Sequence, residues 1–210
     1  MKTSRHDLLE IGREIVCKQG FGGLSFGALA LRAGIRKASV HHHFPAKADF
    51  GAALIALETE ALTSALAAAE GDTRRGYLAM REFLREKREQ SGGGTALDLL
   101  TSLSADASTL EKESRTALAS ARELVVRRIA AILQTGRRDR TIAVAGDIEE
   151  EARAVLSQVE GAQIAARAAG DPGRGAPPRG VGRPGHRGGQ HGRAGRRRPV
   201  GASGRRRGRR

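Results

Sequence analysis

The side chains best able to do chemistry lie together in "GIRKASVHHHFPAK", residues 34–47. His41, His42 and His43 are consecutive, with Arg36, Lys37 and Lys47 around them. Three imidazoles raise a metal site, a proton-transfer cluster or a polar surface as readings. A metal site needs ligands converging on one point, commonly two histidines a helical turn apart with a cysteine or acid nearby. Consecutive residues on a helix instead diverge by about 100° each. No acid occurs between Ala33 and Ala48, and the only other histidine ahead of the C-terminal tail is His6. No metal and no cofactor is therefore expected. What remains is a row of donors and small groups without an acid, which suits insertion into a DNA groove. Elsewhere no nucleophile–base pair, phosphate loop or paired carboxylate stands out, so the chain is not read as an enzyme. The acids of "EEE" at 149–151 suit the positive end of a helix dipole. The lone cysteine, Cys17, excludes an intrachain disulfide and reads as a small buried residue.

Helices must position that stretch. Ser4 with Asp7 three residues on is a capping-box-like start, and Leu8, Ile11, Ile15 and Val16 form an apolar stripe ending near Gly20. A second, short helix follows Ser25, with Phe26, Leu29, Ala30 and Ala33 on one face, and Gly34 breaks it. A third starts near Arg36 or Lys37 and reaches about Phe44, where Pro45 stops it. Val40 and Phe44 point inward; Lys37, Ala38, His41 and His42 point out. Two short helices joined by a tight Gly-containing turn make a helix-turn-helix unit. The rest of the folded part also reads as helix: from 49 to a break at Gly71-Asp72, then 73–90, 95–107, 109–135, and from an Asp147 cap to about Ala169. "SGGG" at 91–94 reads as a flexible joint, and "TIAVA" at 141–145 as a loop. With no Trp, one Tyr and five Phe, the core must be mostly aliphatic, which helices pack well.

The net charge of +14 is concentrated at the two ends. Residues 172–210 hold 13 of the 37 basic residues and no acid; residues 1–50 carry +4 and residues 51–171 carry −3. A small basic unit on a slightly acidic body suits a polyanionic partner. No uninterrupted apolar run approaches the roughly 18 residues of a membrane span, and the N-terminus lacks the apolar core of a signal peptide. A cytoplasmic protein is expected, with no membrane contact. The tail, with 12 Gly, 5 Pro and 13 Arg in 39 residues, has almost nothing to bury and is expected to be disordered. Either it adds sequence-independent nucleic-acid affinity, or it is a GC-rich gene read out of frame after about codon 171.

"LALRAGIRKASVHHHFPAKADF" at 29–50 and "GFGGLSF" at 20–26 resemble the TetR family of bacterial transcriptional regulators. The shared features are a second helix ending in A-G, a short polar recognition helix ending in H-F, then P-x-K. The resemblance implies an all-α fold: a three-helix DNA-binding domain at 1–48 and a helical effector-binding and dimerisation domain at 49–171. It implies a repressor that works as a homodimer on palindromic, double-stranded operator DNA and is released from it by a small-molecule effector. Lys37, Ala38, His41 and His42 then correspond to groove-facing residues, and Ser25, Ser39, His43 and Lys47 to phosphate contacts. Arg36 stands where a capping Ser or Thr is common; arginine is a poor cap, so it is expected to reach phosphate or guanine. Some members sense electrophiles through a cysteine in a central helix, but residues 95–107 contain none.

In the body, a mostly apolar effector pocket with a few polar groups is expected, with Tyr77, Met80, Leu100, Ser104 and Arg122 as contacts. In the family the last two helices pair with their mates, which makes Val155, Val159, Ala162 and Ala166 the expected dimer face. The tail replaces the final helix, so a weakened dimer is expected. A non-specific nucleic-acid binder driven by the Arg/Gly-rich tail is the alternative function. Removing 172–210 would leave operator specificity intact in a regulator, and would abolish most affinity and its salt dependence in the alternative.

Overall fold

Ser4 opens the first helix as expected: its hydroxyl accepts the Asp7 N–H at 3.1 Å, and the Asp7 carboxylate accepts the Ser4 N–H at 2.8 Å. The computed structural model describes residues 3–72 and 74–170, so the tail and its two readings lie outside the described residues. The order is α1 (Arg5–Gly23), α2 (Phe26–Ala33), α3 (Lys37–His43), α4 (Lys47–Glu70), α5 (Gly76–Gln90), α6 (Leu99–Ala105), α7 (Lys112–Arg138) and α8 (Ile148–Ala169). No strand occurs among the described residues. Gly20, at φ 79°, interrupts α1, and one further turn is added beyond it. Residues 141–145 are irregular.

The centre of the body is α7, packed against α4, α5, α6 and α8. By length (24 residues) and composition, α4 is the one described helix apolar enough to cross a membrane. Its Phe50, Leu54, Ile55 and Leu62 are nevertheless inside the common core. Glu58 on the same face is 5% exposed and accepts from Arg13 of α1 at 2.7 Å.

The expected flexible joint at 91–94 is instead a tight 3₁₀ turn over Gly92–Gly94. Ser91 is fully buried, and the Ala96 N–H closes the turn on its carbonyl at 3.0 Å. Gly92, Gly93 and Gly94 have φ of 58°, 69° and 105°, a path that side chains resist. Three glycines therefore serve a fixed reversal. It leads into Asp98, which caps α6 by accepting the Thr101 N–H at 2.9 Å.

Candidate nucleic-acid interface

The third helix owes its position to the turn before it. Gly34 ends α2 in the left-handed region (φ 67°), and the Ile35 N–H reaches back to the Ala30 carbonyl at 3.0 Å. Ser25 caps α2 at its other end, accepting from the Ala28 N–H at 3.1 Å. Val40 and Phe44 are buried as expected. Phe44 meets Phe50 edge-on at 4.7 Å, and Phe50 fits because residue 12 is glycine: a Cβ there would lie 2.2 Å from Phe50 Cζ. This aromatic seam fixes α3 on α1 and α4.

With Val40 inside, Arg36, Lys37, Ala38, Ser39, His41 and His42 are exposed and His43 is half-buried. Arg36 precedes α3 without a side-chain capping bond, which leaves its guanidinium to other partners. The histidines do not converge. His41 lies edge-on to Phe26 at 5.0 Å with Nδ1 3.4 Å from the Pro45 carbonyl, whereas His42 and His43 meet each other at 5.6 Å. Lys47 is half-buried rather than free: Nζ sits 4.7 Å over the Phe21 ring and donates to the Gly22 carbonyl at 3.4 Å. Burial lowers its ammonium, opposed by the Asp106 carboxylate. Arg5, which the spacing argument overlooked, lies over the Phe44 ring at 4.8 Å and adds an exposed cation beside α3. Its signal was the basic residue after the Ser4 cap, on the same end of the unit as "HHHF".

The body holds α1 around its break. Ser102 of α6 donates to the Val16 carbonyl at 2.6 Å, the Leu97 N–H to the Cys17 carbonyl at 3.1 Å, and Arg167 of α8 to the Lys18 carbonyl at 3.0 Å. Past the break, the Asp106 carboxylate accepts the Gly22 N–H at 2.9 Å. Backbone groups that an intact helix would satisfy internally are thus met by α6, α8 and the turns on either side of α6. Cys17 is buried here, and desolvation pushes its thiol up to about 11, so it is a poor nucleophile.

Residues 8–54, which span this unit, match the family model described as "Bacterial regulatory proteins, tetR family". In this unit the chain is similar to the DNA-binding unit of that family. It is 27% identical over 169 residues to the HTH-type transcriptional repressor NemR of Escherichia coli (strain K12), covering 78% of this chain and 84% of that protein. A TetR-family transcriptional regulator from Agrobacterium tumefaciens has the same fold, with a TM-score of 0.73 at 22% identity, covering 81% of this chain and 90% of the other. The structure of AibR in complex with isovaleryl coenzyme A and operator DNA is similar at a TM-score of 0.59 and 17% identity, covering 76% and 85%.

In the body, none of the five expected effector contacts lines either described cavity. Tyr77 is 36% exposed and stacks under Arg81, because the inward stripe of α5 runs through Ala79, Met80 and Phe83, one position away. Met80 and Leu100 are core residues, each 3% exposed. Ser104 and Arg122 do meet, at 3.0 Å, but Glu160 of α8 takes the guanidinium with two bonds of 2.6 and 2.8 Å. A cavity of about 320 Å³ lies between α4, α5 and α7, lined by Ala65, Ala68, Ala69, Glu82, Glu86, Arg128 and Ile132 among others. Its signal was the run "ALAAAE", whose small side chains leave a gap opposite the longer residues of α7.

The residues of the expected dimer face pack largely within the chain. Val155, Val159 and Ala166 are 9%, 6% and 0% exposed within one chain, and Ala162 is half-buried. A helix with a single apolar stripe gives it to its nearest partner, here α7. The outward face of α8 carries Ala154, Gln158, Gly161, Ala165 and the 53% exposed Ile164.

Proposed function

We propose that this chain is a transcriptional repressor that leaves its operator when a small molecule binds the body, and that it has no catalytic role of its own. The observation that carries the reading is the exposed, acid-free face of α3, held by Val40 and Phe44 within a unit that matches the TetR family over 8–54. The curated relative is named as a repressor, and AibR was solved with both a ligand and operator DNA. Both names support a ligand-responsive regulator. Lys37 and Arg36 reach the groove or its edge; Ser25, Ser39, His43 and Arg5 meet phosphates. A second copy, docked through the outer face of α8, supplies the second recognition helix for a palindrome. The protein acts in the cytoplasm, with the chromosome.

The contacts at Gly20 give the response a route. Ser102, Leu97, Arg167 and Asp106 grip both sides of the break in α1. A shift of α6 or α8 on ligand binding is thereby passed to α1 and so to α3.

Selection of duplexes from a random pool by the full chain tests this. A palindrome with half-sites about one helical turn apart is expected. On that duplex Lys37→Ala should cost about 1–3 kcal/mol and relax the choice at the base pair it reads. Enrichment of no sequence, with Lys37→Ala weakening all duplexes equally, would leave only non-specific binding.

A further inference from the structure

Lys47 begins α4, at the seam between the DNA-binding unit and the body. It is close to the exposed face of α3, since the carbonyl of Pro45, two residues before it, meets His41 at 3.4 Å. Its ammonium is nevertheless turned onto α1, over the Phe21 ring at 4.7 Å and toward the Gly22 carbonyl at 3.4 Å. The N–H of the same Gly22 donates at 2.9 Å to Asp106, the residue that ends α6. Gly22 therefore lies between a cation of α4 and an anion of the body. Asp106 comes this close because residue 20 is glycine: a Cβ there would lie 2.5 Å from Asp106 Oδ2.

The hold on Lys47 is weak. A contact of 3.4 Å is long for an N–H···O bond, and a half-exposed ammonium over a ring is a modest attraction. Lys47 forms no ion pair among the described residues. The nearby Asp49 is engaged by the Ala46 N–H at 2.9 Å. A cleft of about 200 Å³, lined by Phe21, Lys47, Ala48, Glu111 and Ser114 among others, leaves the side chain room to turn. A DNA phosphate offers it a full negative charge and a charge-assisted bond in place of a ring face and one neutral carbonyl. The carboxylate of Asp106 pulls the other way.

We propose that Lys47 is a phosphate contact withheld in the free chain: Asp106, a positioning residue acting across Gly22, keeps the ammonium on α1, and operator binding draws it onto the DNA backbone. This rests on reading α3 as the operator-binding helix, and it adds a contact that the body controls. A shift of α6 that takes Asp106 away from Gly22 loosens the hold, and one that presses it closer tightens it, with α3 itself unmoved.

Two measurements on the full chain with the selected duplex test it. In the first, the lysines are dimethylated with labelled carbon, which keeps their charge, and the Lys47 signal is the one missing from Lys47→Arg. In the free chain it is expected in the shielded region over the Phe21 ring, and on adding duplex it should move to the position of a lysine away from any ring. A signal that stays shielded in the complex overturns the proposal, and this arm stands even if the next variant folds poorly. In the second, affinity is followed against salt. Lys47→Gln should weaken binding and lower the slope of log K against log salt by about one. Asp106→Asn keeps an acceptor for the Gly22 N–H and removes the charge. It should tighten binding about threefold or more at low salt, where a nearby charge is least screened, and should have no effect in the Lys47→Gln chain. No tightening in the parent, or equal tightening in both backgrounds, would overturn the proposal, the latter because Asp106 would then act on the DNA directly. A pool that enriches no duplex refutes the operator reading and this proposal with it. An enriched duplex whose affinity ignores Lys47→Gln refutes this proposal alone.

Discussion

Asp98→Ala should lower stability by about 3–5 kcal/mol, the range for removing one partner of a buried charge pair. In thermal unfolding that is a drop on the order of 10 °C for a chain of this size. Asp98 is 4% exposed and serves three helices at once. One carboxylate oxygen caps α6 by accepting the Thr101 N–H at 2.9 Å. The other accepts from Gln163 of α8 at 2.9 Å and lies 3.4 Å from Lys87 Nζ of α5. The Asp98 N–H donates to the Gln163 side-chain carbonyl at 2.9 Å, closing a two-way clasp. Alanine leaves Lys87, itself 5% exposed, as a buried cation without a counter-ion. Coupling is read from a double substitution: Lys87→Met with Asp98→Asn should recover much of the loss, because neither charge is then stranded. If Asp98→Ala unfolds within about 1 kcal/mol of the parent in urea, the clasp is not a main support of α6.

The same group sets an acid limit. Burial by itself would raise the Asp98 carboxyl, but the Lys87 ammonium, the Thr101 N–H and the Gln163 amide together hold it below the usual carboxylate range. A carboxyl depressed in the folded state contributes stability that is fully present above its unfolded value and is lost as pH falls through the folded one. The loss therefore begins below about pH 4. The Asp98→Asn chain should show a flatter acid limb in the same titration.

The DNA-binding unit was legible because its constraints are local. Ser4 with Asp7, Ser25, Gly34 and Pro45 each fix a helix end through their own backbone chemistry, and Val40 with Phe44 four residues on fixes which side of α3 faces inward. The body was legible as helices but not as contacts. In α8 the stripe Val155, Val159, Ala162, Ala166 was visible, yet periodicity says only that a face is buried, not what buries it. An α7 stripe of Leu118, Val125, Ile129 and Ile132 was equally in want of cover, and the two meet within one chain. Arg122 and Ser104 come together across 18 residues, but their third member, Glu160, is 38 residues from Arg122, and nothing local joins them. The glycines of 91–94 read as slack because composition cannot distinguish a glycine needed for freedom from one needed for a fixed positive φ.

Gly76→Ala is the other large effect, and its sign is opposite to helix propensity. Alanine near the start of a helix is ordinarily neutral or favourable by up to about 1 kcal/mol over glycine. Here a Cβ would lie 2.2 Å from Gly136 N, 2.3 Å from Gly136 Cα and 3.0 Å from the Ile132 carbonyl oxygen. Those are backbone atoms of α7, which cannot rotate aside. The start of α5 is anchored to the segment after α7: the Gly76 N–H donates to Asp139 at 2.8 Å and the Tyr77 N–H to Thr141 at 3.1 Å. Inserting a methyl group separates two helix backbones and strains both bonds, so a loss of about 1–3 kcal/mol or more is expected. Gly27→Ala is the control, since its Cβ would meet nothing nearer than Ser25 Oγ at 3.9 Å; it should be neutral or slightly stabilising. Ala79 and Ile132, close in sequence to this crossing, line the cavity between α4, α5 and α7, so Gly76→Ala should change that cavity's shape while leaving the DNA-binding unit folded. A Gly76→Ala chain as stable in urea as its Gly27→Ala counterpart would mean that α5 and α7 do not cross this closely.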